Sequence, residues 1–127
     1  MDAQDAFDQW HAPIGESETE TSTLERALLG KVLCNPWLFR ELSAAMRCED
    51  FTKQAHRDVF LAMEAIRDRG AEIGFVTVKA TLDAADYLDD VGGAEGLARL
   101  IEGVQMREAV FRHALQQYAQ KRASLAN

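Results

Sequence analysis

Apolar residues recur along this chain at intervals of three and four, the period of helices with one buried face. The stretch from Ala71 to Val76 is too short and too weakly alternating to predict a strand. A first helix is expected from Ser22, where Ser22-x-x-Glu25 has the form of a capping box, with Leu24, Ala27, Leu28 and Val32 on its inner face. Gly30 interrupts that face. A glycine inside a helix costs about 1 kcal/mol against alanine, so its position predicts a close-passing neighbour backbone. Asn35-Pro36 predicts a restart, with Asn as N-cap and Pro at the first helical position, for a helix carrying Trp37, Leu38, Leu42, Ala45 and Met46 to about Arg47.

Asp50-Phe51-Thr52 reads as a turn that inserts one aromatic ring. His56, Val59, Phe60, Met63 and Ile66 then predict a third helix that ends with Gly70 at C′, with Arg67 and Arg69 facing the negative end of its dipole. Thr77 is placed to cap a short fourth helix carrying Val78 and Leu82 and ending near Ala85. Tyr87 to Gly93 is read as loop. A fifth helix would bury Leu97, Leu100, Ile101 and Val104, with Gly103 near its end, and a longer last helix is expected from Met106 to Leu125. That helix repeats Phe111, Tyr118 and Leu125 every seven residues, with Ala114 and Leu115 between them and Arg107, Arg112, Lys121 and Arg122 assigned to other faces. So narrow a stripe either folds back on the core or pairs with another chain. No repeat of 20 to 50 residues is visible.

Residues 1–22 break the pattern. They hold six acids (Asp2, Asp5, Asp8, Glu16, Glu18, Glu20) and no Lys or Arg, and their Glu/Thr/Ser alternation reads as linker. Ala3, Phe7, Trp10 and Ile14 nevertheless fall at helical spacing, with Pro13 interrupting before the last. Two readings stand: a solvated tail with incidental aromatics, or an acidic amphipathic segment that docks on a partner or on its own domain. The expected organisation is a tail or linker over 1–22, a globular domain over 23–104 and a C-terminal helix over 105–127. One domain of 127 residues can bury roughly two thirds of the surface its unfolded chain exposes.

The net charge of −7 lies almost wholly in that tail, since the remaining residues hold fifteen acids against fourteen bases. Duplex DNA binding through phosphates calls for a basic surplus, so it is not expected. No apolar run approaches the roughly 18 residues that cross a bilayer, and the acidic N-terminus resembles neither a secretory signal nor a transit peptide, so cytoplasmic residence is expected. Cys34 and Cys48 form no Cys-x-x-Cys and have no His cluster, which points to reduced thiols and no metal site.

Nucleotide chemistry finds no support either. Gly30-Lys31 is followed by Val32 and has Glu25 where a phosphate-binding loop needs its first glycine. Gly92-Gly93-Ala94-Glu95-Gly96 departs from Gly-x-Gly-x-x-Gly and follows no strand. No cofactor is therefore expected. His56 with Asp58, or His113, would be the candidates for catalysis, but neighbouring helix positions do not converge on one substrate, and no catalytic residue is assigned. His56 is expected to be a partly buried, hydrogen-bonded residue, with Arg57 and Asp58 in inter-helix or surface pairs. Glu49-Asp50 and Asp89-Asp90 are expected in turns.

Five signatures nevertheless stand in fixed order: Leu24-Glu25-Arg26-Ala27-Leu28-Leu29-Gly30, Asp50-Phe51, His56-Arg57-Asp58-Val59-Phe60, Val76-Thr77-Val78 and Val91-Gly92-Gly93. Over about residues 22 to 103 they resemble the N-terminal domain of DnaB-type replicative DNA helicases. The resemblance implies an all-α, compact orthogonal bundle of about five to six helices, and a non-catalytic collar whose motor ATPase lies in a separate domain. The implied partners are helicase subunits or a second copy of the chain, primase and a helicase loader. Two departures bear on this. Glu72-Ile73-Gly74-Phe75 replaces the Pro-Ile-Asp of many relatives, and only Met106 to Leu125 stands where the family has a two-helix hairpin, so a dimer or monomer is expected rather than a hairpin-built trimer. Phe111, Leu115, Tyr118 and Arg122 are singled out as contact residues, with Phe7 and Trp10 in the acidic segment. Two alternatives remain: a stand-alone adaptor of phage or plasmid type that recruits, loads or inhibits a host helicase, and a small helical nucleic-acid-binding regulator.

Overall fold

Leu28, Leu29 and Val32 on one helix meet Leu42, Val59, Met63, Ile66, Val78, Leu97 and Phe111 from five others, and this convergence organises the molecule. The computed structural model describes residues 20–102 and 106–126, with side chains over 21–102 and 106–122. Among them are six α-helices: α1 (Glu20–Cys34), α2 (Phe39–Ala45), α3 (Gln54–Asp68), α4 (Phe75–Ala84), α5 (Gly93–Ile101) and α6 (Glu108–Ala126). Single 3-10 turns at Pro36–Leu38, Cys48–Asp50 and Asp89–Val91 join or precede them, and no strand occurs among the described residues. The fold is all-α, as the periodicity predicts. Helix α1 packs on α5 and α3, α3 packs on α4, and α6 lies against α2.

Three rings form the aromatic heart of the core. Phe60 of α3 stands 5.2 Å from Phe51 and 5.6 Å from Phe39, centroid to centroid, in tilted arrangements. All three are essentially solvent-free. Offset or tilted ring pairs at such distances contribute about 0.5–1.5 kcal/mol each beyond simple burial. The Asp50-Phe51 turn thus inserts its aromatic where the sequence predicts.

Local chemistry explains where several boundaries differ from expectation. Glu20 and Thr21 are already helical in α1, so Ser22 lies inside the helix, and Glu25 serves a distant loop rather than a capping box. Asn35 does not cap the helix after it. Its side-chain amide donates back to the Lys31 carbonyl at 3.1 Å, closing the C-terminus of α1, and Pro36 starts a 3-10 turn before α2 forms. Trp37, expected on an apolar face, is 65% exposed because the tighter 3-10 winding turns it outward.

Thr77 occupies the third position of α4 rather than its N-cap. Its hydroxyl accepts from the Gly74 amide at 2.9 Å and donates to the Glu72 carbonyl at 2.8 Å, so it still ties down the helix start from inside. Helix α3 ends as predicted, with Gly70 in the left-handed region at φ +75°. Leu97 and Leu100 are buried in α5 while Ile101 is half-buried; Val104 lies outside the described residues.

The Val91-Gly92-Gly93 signature serves a tight approach. Gly92 has φ +92° between the 3-10 turn and α5, and a Cβ on Gly96 would stand 2.0 Å from the Val91 carbonyl oxygen. Gly96→Ala must therefore push the turn off the helix. It is expected to lower stability by about 1–3 kcal/mol, read from thermal unfolding. An unchanged melting temperature would refute the close approach.

Candidate functional site

Glu25 lies three, four and seven residues before Leu28, Leu29 and Val32, so helical winding puts its carboxylate on the same inner face as those apolar side chains. The side chain is fully buried. An isolated buried carboxylate would be very costly, and the fold supplies partners instead. The Thr52 amide donates to both carboxylate oxygens at 2.9 and 3.0 Å, and the Thr52 hydroxyl donates to Oε2 at 2.8 Å. His56 Nδ1 lies 3.0 Å from Oε1. An ionised carboxylate can only accept, so the imidazole donates from Nδ1. Burial alone would push the Glu25 carboxyl up, but the bonds from His56 and Thr52 outweigh it and hold the group below its ordinary value.

A second set of bonds continues this polar seam. Arg57 Nε donates to the Phe51 carbonyl at 2.8 Å, which fixes the loop from its other side. Asp50 accepts from the Arg47 amide at 2.7 Å and closes the 3-10 turn. From α6, Arg122 reaches over to the Asp50 carboxylate and donates to the Ala45 carbonyl at 3.0 Å. The Ala45 carbonyl is an end group of α2, so this contact satisfies an acceptor that the helix cannot. Nearby, burial and the negative charges of Glu25 and Asp50 raise the Tyr118 hydroxyl above its ordinary value.

Three of the five sequence signatures therefore meet in space: Glu25 from the first, Asp50-Phe51 from the second and His56-Arg57 from the third. The other two are used elsewhere, one in the cap of α4 and one in the turn before α5. Asp58 points to neither group; its Oδ1 accepts from Gln54 Nε2 at 3.0 Å. Within this cradle, sequence reasoning misassigned Glu25. Its signal was an acid at core spacing within an apolar run.

The residues singled out on the last helix are divided by burial. Phe111 and Leu115 lie inside the chain's own core, Tyr118 is half-buried, and Arg122 points inward to Asp50 rather than onto another face. On the outer side of α6, Arg112 bonds Glu41 at 2.9 Å and Glu108 at 3.3 Å. Phe7 and Trp10 lie outside the described residues. Among the described residues no three His, Cys, Asp or Glu side chains are grouped to hold a metal, and no helix is long and apolar enough to cross a membrane. Cys34 and Cys48 are free thiols. What the seam can do chemically is fasten: it joins α1, the 47–52 loop, α3 and α6.

Comparison with known proteins bears on what is fastened. Residues 17–121 match the family model described as DnaB-like helicase N terminal domain. The chain is 38% identical over 80 residues to the replicative DNA helicase DnaB of Geobacillus stearothermophilus, a match covering 63% of this chain and 18% of that protein. It is 31% identical over 91 residues to the DnaB of Mycobacterium leprae, covering 72% of this chain and 15% of that one. Among solved structures, the N-terminal domain of DnaB helicase from Mycobacterium tuberculosis is similar at TM-score 0.68 and 31% identity, covering 76% of this chain and 69% of that one. The matched stretch spans under a fifth of the length of the two curated helicases.

Proposed function

Since this chain belongs to the family of DnaB-like helicase N-terminal domains, we propose that it is a non-catalytic assembly and protein-interaction domain of DNA replication. It joins helicase subunits or copies of itself, and meets primase or a helicase loader, in the cytoplasm. The matched region lacks the ATPase motor of the full-length relatives, so no hydrolytic step is assigned to it. The observation that supports the reading best is the use of the signature residues. Glu25, Asp50, His56 and Arg57 bond one another, Thr52, Arg122 or backbone, which makes them a scaffold for surfaces rather than a site for a small molecule.

In this reading Phe111, Leu115, Tyr118 and Arg122 act by fixing α6 against α2, and partners meet the outer stripe of that helix. Val110, His113 and Gln117 fall on one such stripe, with Val110 52% exposed. The test mixes the full chain with a replicative helicase and primase from the same cells and reads mass by light scattering after gel filtration. Association with itself or with either protein is the expected result. A chain that stays monomeric and instead binds DNA tightly and salt-sensitively would replace this reading with the nucleic-acid-binding one. Val110→Asp is expected to weaken association at least about tenfold, a loss of roughly 1.4 kcal/mol. As an exposed change it should leave unfolding within about 0.5 kcal/mol of the parent. Unchanged association would remove α6 from the interface.

A further inference from the structure

Between the start of α2 and the C-terminus of α3 lies an open groove of about 690 Å³. Pro36, Trp37, Phe39 and Ile73 give it an apolar lining, and Arg40 and Arg67 stand on its rim beside the acid Glu72, with Arg67 also paired to Asp68 at 3.1 Å and Glu64 at 3.9 Å. Arg67 lies over the Phe39 ring at 5.4 Å from its centroid, and Trp37 is 65% exposed. A tryptophan left largely in water beside an apolar floor and two guanidinium groups has the composition of a protein-binding hot spot. Its complement is an acidic segment with aromatic anchors.

The chain itself carries such a segment. Residues 1–19 hold five acids and no Lys or Arg, and Phe7 and Trp10 stand three positions apart, the spacing at which one helical turn brings two side chains to a common face. Reach is sufficient. Helix α1 is 15 residues long, about 22 Å from Glu20 to Cys34 beside the groove. The ten residues from Trp10 to Glu20 can span up to roughly 33 Å. We propose that the groove is the docking site of this chain's own residues 1–19, with Phe7 and Trp10 on the Trp37–Phe39 floor and Asp5 and Asp8 against Arg40 and Arg67. The inference goes beyond the assembly role and does not rest on it.

The test uses the full chain, in which Trp10→Phe leaves Trp37 as the one tryptophan. Acrylamide quenching then reads the exposure of Trp37 directly. With phenylalanine at positions 7 and 10 the indole should be shielded. Phe7→Ala with Trp10→Ala should raise quenching severalfold, and Arg40→Glu in the Trp10→Phe chain should do so through charge alone. Circular dichroism confirms that each variant is folded, and Arg40 is exposed, so its replacement leaves the core intact. Quenching that is high from the start, or unmoved by either variant, overturns the proposal. Shielding that disappears on dilution would assign the groove to a second copy, and shielding that arises only with added primase or helicase would assign it to that partner; either result overturns docking within the chain.

Discussion

Phe60→Ala is expected to cost about 3–5 kcal/mol, the usual range for truncating a buried phenylalanine. Phe60 is 1% exposed and is the middle ring of three, so its loss removes both ring contacts at once and leaves Phe39 and Phe51 facing a void. Neither neighbour can collapse into the space. Phe39 is held in α2 under Arg67, and Phe51 sits in a loop whose carbonyl Arg57 grips. Small domains have only about 5–15 kcal/mol of total stability, so the variant loses at least about a fifth of it and, at the low end of that range, nearly all. Urea unfolding checks this. The adjacent Leu61→Ala serves as the control, because Leu61 is 47% exposed and its truncation should change stability by about 0.5 kcal/mol or less. Equal losses at the two positions would mean that the aromatic cluster does not organise the core.

The contrast between Phe60 and Leu61 shows what the sequence could and could not disclose. Phe60 follows from periodicity: His56, Val59, Phe60, Met63 and Ile66 share one helical face, and the structure buries all five. Periodicity speaks for a helix's own geometry, and α3 is long enough to express it. It failed at Trp37, because three residues of 3-10 winding change the angle between successive side chains and no apolar pattern records that change. It failed again at Asn35 and Thr77, whose side chains can satisfy either the helix before or the helix after, a choice made by the neighbouring turn. The polar seam was half legible. Its residues stood out as a family signature, but that Glu25 bonds a loop 27 residues away is a fact of tertiary packing that helix-capping logic points away from.

That seam explains why a domain of short helices would place charge in its core. Helix α2 has seven residues and α1, α3 and α6 touch it or its loop from different sides, so their relative positions need directional contacts as well as apolar area. Glu25, Thr52 and His56 supply them on one side, and Asp50 with Arg122 supplies them on the other. An apolar replacement could fill the same volume, but it would not tell the 47–52 loop where to stop. The orientation of α6, and with it the outer stripe proposed to meet partners, depends on that loop.

Glu25→Ala therefore has the second large expected effect, about 3–5 kcal/mol, because truncation leaves the buried His56 ring, and the Thr52 amide and hydroxyl at the bundle's edge, without their common acceptor. Part of the loss has a pH signature. The folded carboxyl is held below its ordinary value of 4.5, so it binds its proton less readily in the folded state than in the unfolded chain. Its stabilising contribution is complete above that ordinary value and declines as pH falls through the lower, folded one. Glu25→Gln keeps the shape and cannot ionise. The stability gap between parent and Glu25→Gln should be constant above pH 4.5 and narrow steadily below it, measured by urea unfolding at a series of pH values. A gap that stays constant into strong acid would show that the carboxylate charge is irrelevant. A gap that widens on acidification would reverse the sign of the shift and place Glu25 outside the His56–Thr52 cradle.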